Sequence, residues 1–162
     1  MTISTPSIRT GSGLACFLLV LLAGCDLFSP SSSDQPTSRV VIVDNWQLVS
    51  LATDEAVIHD AGILGDLLHL TVRYGGGCAE HEFELYADGV FLESEPPQAV
   101  LRLSHNAHRD SCKALIQTDL RYDLFPLRTA YVRHYGPKGT LLLRIHPPGN
   151  NEPFQPLVTY SF

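Results

Sequence analysis

Leu68-His69-Leu70-Thr71-Val72-Arg73-Tyr74 alternates apolar and polar residues without a break. Successive side chains of a strand point to opposite faces, so a period of two describes a half-buried β-strand. Gly75-Gly76-Gly77 follows at once and ends it with residues that tolerate positive φ. The same rhythm recurs on both sides. His81, Phe83 and Leu85 share a phase against Glu80, Glu82 and Glu84, before the turn Ala87-Asp88-Gly89. After Pro96-Pro97, the residues Ala99, Leu101, Leu103 and His105 share another. Ala114, Ile116, Thr118 and Leu120 form a fourth set, Leu141, Leu143 and Ile145 a fifth, and Val158, Tyr160 and Phe162 a sixth. Residues 39–50, around Trp46, add one or two strands near the start.

One segment departs from the alternation. Leu127, Ala130, Tyr131 and Tyr135 fall at helical spacing between Pro126 and Gly136, which predicts a short helix over 126–135. Its two tyrosines are expected to pin it to a sheet. The fold expected is therefore mainly β, an antiparallel β-sandwich or an open barrel with one short helix.

Near the N-terminus an uncharged run, Leu14 to Ala23, follows a segment that carries Arg9 and no acid. This is the pattern of an export signal, and it falls short of the roughly 20 apolar residues that cross a bilayer as a helix. It leads into Leu22-Ala23-Gly24-Cys25, which resembles the lipobox of bacterial lipoproteins. The resemblance covers the first 25 residues. It implies cleavage before Cys25, whose thiol and amine would then carry acyl chains. On that reading 1–24 are the signal peptide, 25–38 the lipidated cysteine with a Ser/Pro-rich tether, and 39–162 a single globular domain. Asp26 stands directly after the cysteine. In enteric lipoproteins an aspartate there implies retention in the inner membrane, facing the periplasm, with the outer membrane as the alternative.

The charge balance agrees with attachment by lipid. The 162 residues hold 11 Lys and Arg against 17 Asp and Glu, a net −6, and loss of Arg9 with the signal makes the remainder more acidic still. Without a basic stripe, nucleic acid and anionic headgroups are not expected as partners. The membrane is the expected partner through acyl chains, each buried methylene contributing about 0.8 kcal/mol. Of four cysteines, Cys16 leaves with the signal and Cys25 takes the lipid. Cys78 and Cys112 remain in an oxidising compartment and are expected to form a disulfide, worth roughly 3–4 kcal/mol on the chain-entropy account.

The polar residues that stand out gather around those two cysteines: Gly75-Gly-Gly-Cys78-Ala-Glu-His81-Glu-Phe83 and His105-Asn-Ala-His108-Arg-Asp110-Ser-Cys112. The pair of segments resembles a group of small bacterial lipoproteins of unsettled function, with a Gly-Gly-Cys-x2-His-x-Phe stretch and a later Asp-x-Cys. That resemblance, over 74–127, implies a fold and no reaction.

Three chemistries compete for these residues. In the structural one, His81 and His105 point inward on their strands, where a buried ring needs a hydrogen-bond partner such as Asp110 or a turn carbonyl. In the metal one, His81, His105, His108 and Asp110 supply nitrogen and oxygen ligands for zinc or copper, at a spacing that matches no familiar zinc signature. Catalysis is the weakest. Ser104 has the opposite phase to His105, no glycine-flanked serine elbow accompanies Ser104 or Ser111, and Glu80, Glu82 and Glu84 fall on a solvated face. Gly75-Gly76-Gly77 is read as a tight turn ahead of an anion nest, and Trp46 and Tyr74 as core aromatics ahead of a ligand groove. The expectation is an envelope protein with a non-catalytic binding or structural role and no required cofactor. A periplasmic zinc- or copper-binding protein is the alternative.

Overall fold

The computed structural model describes residues 2, 36–44, 46 and 49–162. The export signal, Cys25, Asp26 and most of the tether lie outside the described residues. Among the described residues, nine strands and one helix follow in order: β1 (Thr37–Arg39), β2 (Val41–Val43), β3 (Ala56–Leu64), β4 (Leu67–Gly76), β5 (Glu82–Asp88), β6 (Gln98–Asn106), β7 (Ala114–Asp123), α1 (Phe125–Tyr135), β8 (Thr140–His146) and β9 (Val158–Ser161). β1 begins inside the span read from sequence as tether.

Two sheets pack face to face, ordered β1-β7-β4-β3 and β2-β5-β6-β8-β9. Between β1 and β2 the chain crosses from one sheet to the other at buried Val40, whose N–H donates to the Asp123 carbonyl. The expected phases meet in the core: Leu68, Leu70 and Val72 of β4 with Leu85 of β5, Leu101 and Leu103 of β6, and Leu141, Leu143 and Ile145 of β8. The outward phase of β5 (Glu82, Glu84) and the preceding Glu80 are exposed, as alternation requires.

The sandwich with one short helix is as expected, but the sheets are mixed where antiparallel pairing was expected. β1 runs parallel to β7, β2 to β5 and β6 to β8. The chain leaves β6, passes through β7 and α1, and returns in the same direction, as a crossover connection allows. β3 is a strand that alternation hides. Its register against β4 shifts between Ile58 and Asp60, a bulge that changes the phase half-way.

The helix starts one residue earlier than expected. The Asp123 carboxylate accepts the Phe125 N–H at 2.9 Å, Pro126 sits in the first turn, and Gly136, at φ +101°, closes the end. Leu127 and Tyr131 face the core, with Tyr131 packed between Phe91, Tyr135 and Phe162. Trp46 is half-buried, its indole N–H donating to Asp88 beneath the Arg102 guanidinium. No helix among the described residues is long and apolar enough to cross a membrane.

At the Leu67 end of β4 the β3–β4 turn is tied to the rest of the sandwich by Asp66. Its carboxylate accepts the Tyr160 hydroxyl at 2.6 Å and the Arg128 guanidinium at 3.1 Å, and its carbonyl accepts the Leu124 N–H. The other end of β4 carries the histidines.

Candidate functional site

β5 and β6 pair so that Phe83 stands directly opposite His105, their rings stacked with centroids 4.2 Å apart. His81 lies one residue before β5 on the same inward phase. Tyr74 of β4 covers both imidazoles from the facing sheet, at 4.6 Å from His81 and 5.2 Å from His105. The alternation visible in the sequence is what aims these four rings at one point.

Asp110 reaches them from the β6–β7 loop. That loop turns at His108 and Arg109, both at positive φ (+49° and +62°), with the Asp110 N–H returning to the Ala107 carbonyl. Two successive left-handed residues match a type I′ turn. The Asp110 carboxylate then accepts the backbone N–H groups of Cys112 (2.8 Å), Cys78 (2.8 Å) and Ala79 (2.9 Å). These bonds hold its carboxyl well below the usual carboxylate range, Cys112 and Cys78 contributing most. The disulfide joins Cys78 to Cys112 with Cα atoms 5.9 Å apart, so one carboxylate grips both ends of the bridge. A reactive disulfide sits in an electropositive setting; this one is built around an anion.

The side chains form a continuous row. Asp110 Oδ2 lies 3.3 Å from His81 Nε2, His81 Nδ1 lies 2.8 Å from His105 Nε2, and His105 Nδ1 lies 3.0 Å from the Asp54 carbonyl oxygen. His81 and Asp110 side chains are 2% and 0% exposed, and His105 is 1% exposed. Burial lowers the proton affinity of His105, opposed by its bond to Asp54 and reinforced by His81.

All four ring nitrogens are thus engaged within the protein. A metal ion needs ring lone pairs directed at a shared point about 2 Å away; here each ring nitrogen faces a hydrogen-bond partner within the protein. His108 stays apart, exposed and 3.3 Å from Glu82. Of the sequence candidates, His81, His105 and Asp110 come together and His108 does not. Ser104 is likewise committed, accepting the Ala52 N–H and donating to the Ala52 carbonyl. A nucleophile needs a base with a free nitrogen, and neither buried ring offers one.

Three residues of the site escape sequence reasoning in different ways. Asp54 takes part through its carbonyl, while its carboxylate accepts the Ala107 N–H; a backbone contact leaves no mark in the sequence. Tyr74 reads as a core aromatic, and it is core to the imidazoles. Gly76 is needed for space, since a Cβ there would stand 2.5 Å from His81 Nε2 and 3.1 Å from Asp110 Oδ2. The glycine run is the one signal that points to it. Two clefts flank the row. One of about 250 Å³ is bordered by Tyr74, Glu80, His81, Phe83 and Tyr122, the other of about 320 Å³ by Asp54, Glu55, His105, Asp110 and Lys113.

No family model matches the chain, and no curated protein matches it. Solved structures do. A NigD-like immunity protein from Bacteroides caccae is similar at TM-score 0.50 and 15% identity, covering 79% of this chain and 58% of its own. A protein of unknown function from Bacteroides vulgatus (TM-score 0.48, 14% identity, 78% and 56% covered) and a candidate lipoprotein from Bacteroides fragilis (0.47, 12%, 78% and 69%) are also similar. The chain spans less than two thirds of the first two. At this identity the likeness to the immunity protein bears on the two-sheet fold alone.

Proposed function

We propose that the chain is a bacterial envelope lipoprotein, held to the membrane by acyl chains on Cys25, whose β-sandwich binds or supports a partner without chemistry of its own. The observation that carries the reading is Leu22-Ala23-Gly24-Cys25 directly after an uncharged apolar run. Two further observations support it. The Cys78–Cys112 bridge suits an oxidising compartment. The buried histidines, the residues best suited to acid–base work, have every ring nitrogen committed.

Asp26 favours the inner membrane, with the domain facing the periplasm. The gathering of His81, His105 and Asp110 keeps a zinc- or copper-binding protein as the second reading, which would require both rings to turn. Mass spectrometry of the mature polypeptide from its native host tests the first reading. The expected species begins at Cys25 and carries added acyl mass there. A species that begins upstream, or lacks that mass, overturns it.

A further inference from the structure

Arg39 and Arg128 each meet a carboxylate, at Asp123 and Asp66. Arg102, half-buried on β6, meets none among the described residues. Its guanidinium lies over the Trp46 ring, 5.7 Å from the centroid, and Asp88 holds that ring in place. Stacking on an aromatic face leaves the N–H edge of a guanidinium open to a further partner. Arg102 also borders a cleft of about 160 Å³, away from the histidine row, where residues 51–53 meet the turn after β8. In that turn the Asn150 N–H returns to the Pro147 carbonyl, with Pro148 and Gly149 (φ +67°) at its centre, as a type II turn requires. Gly149 lies against Thr53, whose carbonyl oxygen would stand 3.4 Å from a Cβ there. The walls are rich in donors. Thr53 brings a hydroxyl, and Asn150, its side-chain oxygen taken by the Glu152 N–H, has amide hydrogens left to donate. No described residue that borders the cleft is acidic.

A second observation comes from the neighbouring strand. His146 stands opposite Arg102 in the β6–β8 register, just before the turn that borders the cleft. It is 7% exposed, and its Nδ1 has no partner among the described residues. Buried polar atoms left unmatched are rare in folded proteins, and one beside an unpaired guanidinium marks a polar wall that a ligand completes. Arg144, on the same strand, donates to the neutral Gln98 amide, and both arginines lie close enough to disfavour charge on the His146 ring. The acids in reach are engaged or set back. Asp88 accepts the Trp46 indole and the Val90 N–H, and Glu152 is exposed beyond the turn.

We propose that this cleft is a carboxylate-binding site, in which the Arg102 guanidinium, steadied by Trp46, receives the carboxylate of a peptide segment. A guanidinium presents paired N–H groups that match the two oxygens of a carboxylate, and the Thr53 hydroxyl and Asn150 amide supply further donors. The volume is below the roughly 300–1,000 Å³ of small-molecule pockets, so it suits one side chain or chain end of a partner that sits outside. In a chain of 17 acids and 11 bases the cationic spot is local. It takes a single carboxylate, while the acidic remainder turns away a strongly anionic partner. The site gives a chemistry to the partner of the binding domain and rests on that reading, but not on the lipid at Cys25.

Trp46 is the single tryptophan of the chain, so its fluorescence reports on the guanidinium above it. The probes are three acetylated alanine tetrapeptides: one with glutamate and an amidated end, one with a free C-terminal carboxylate, and a neutral one with glutamine. Added to the full chain, one or both carboxylate peptides should change the emission saturably. The neutral peptide should bind at least about tenfold more weakly, the loss expected for a charge-assisted pair. Acetate, which lacks the chain, should also bind more weakly. By calorimetry, Arg102→Gln should lose about tenfold or more in affinity for the same peptide, and Arg128→Gln should lose none. Equal binding of charged and neutral peptides, or a folded Arg102→Gln protein that binds as the wild type does, would overturn the proposal. Acetate binding as tightly as the peptide would also overturn it, in favour of a free acid. The wild-type comparison decides the matter if Arg102→Gln does not fold. Failure of every carboxylate peptide with acyl mass present on Cys25 would remove the site and leave the anchor standing.

Discussion

Each end of β4 is closed by an aspartate, and the two closures differ in kind. Asp66, at the Leu67 end, accepts two side chains, Tyr160 and Arg128, and remains 36% exposed, as does Arg128. Water can replace either partner. Asp110, beside Gly76, accepts three backbone N–H groups and faces an imidazole with no exposed side-chain surface. Its partners are fixed by the chain itself. The same residue type is a surface tie at one end and the hub of a closed polar network at the other.

The comparison is broken most readily at the hub. Asp110→Ala leaves three N–H groups and the His81 ring without their acceptor, and is expected to lower the urea midpoint more than either Gly76→Ala or Asp66→Ala. An effect no greater than that of Asp66→Ala would show the two ends to be equivalent. Gly76→Ala should cost about 2 kcal/mol, because the added Cβ overlaps the His81 ring and the row must shift. Asp66→Ala should cost about 1 kcal/mol, chiefly the hydrogen bond to Tyr160, since exposed pairs such as Asp66 with Arg128 contribute little. Urea unfolding of each variant measures both.

Acidification sharpens the comparison. The folded state lowers the pKa of His105 from its ordinary 6.5, and that of Asp110 from its ordinary 3.8. In both cases the unfolded chain binds protons more readily, so their contributions are complete above those values and are lost as pH falls. Stability should decline first below about pH 6.5 and again below about pH 4. His146, also lowered by burial, adds to the first decline. Asp110→Asn should remove much of the second decline, and Asp66→Asn should leave it in place. Urea midpoints across that range check both variants.

Much of this end of the molecule was legible because alternation is a strong signal. The inward phases of β4, β5 and β6 put Tyr74, His81, Phe83 and His105 on facing surfaces, and the cysteines indicated which loops would meet. What alternation cannot carry stayed hidden. Strand direction leaves the period unchanged, so the parallel β6–β8 pair looked like any other. The bulge in β3 changes its phase within nine residues. His108 stands near the inward rings in sequence, yet two left-handed residues turn it out to Glu82. The contact between the two imidazoles depends on side-chain rotation, which no spacing rule describes.

His81 and His105 spend their nitrogens on the protein and leave none for a ligand ion. Metal content of protein purified without a histidine tag tests this most directly. The expected result is zinc and copper well below one ion per chain, with no change in thermal stability on adding either. A full equivalent of metal in the wild type, lost in both His81→Ala and His105→Ala, would contradict it.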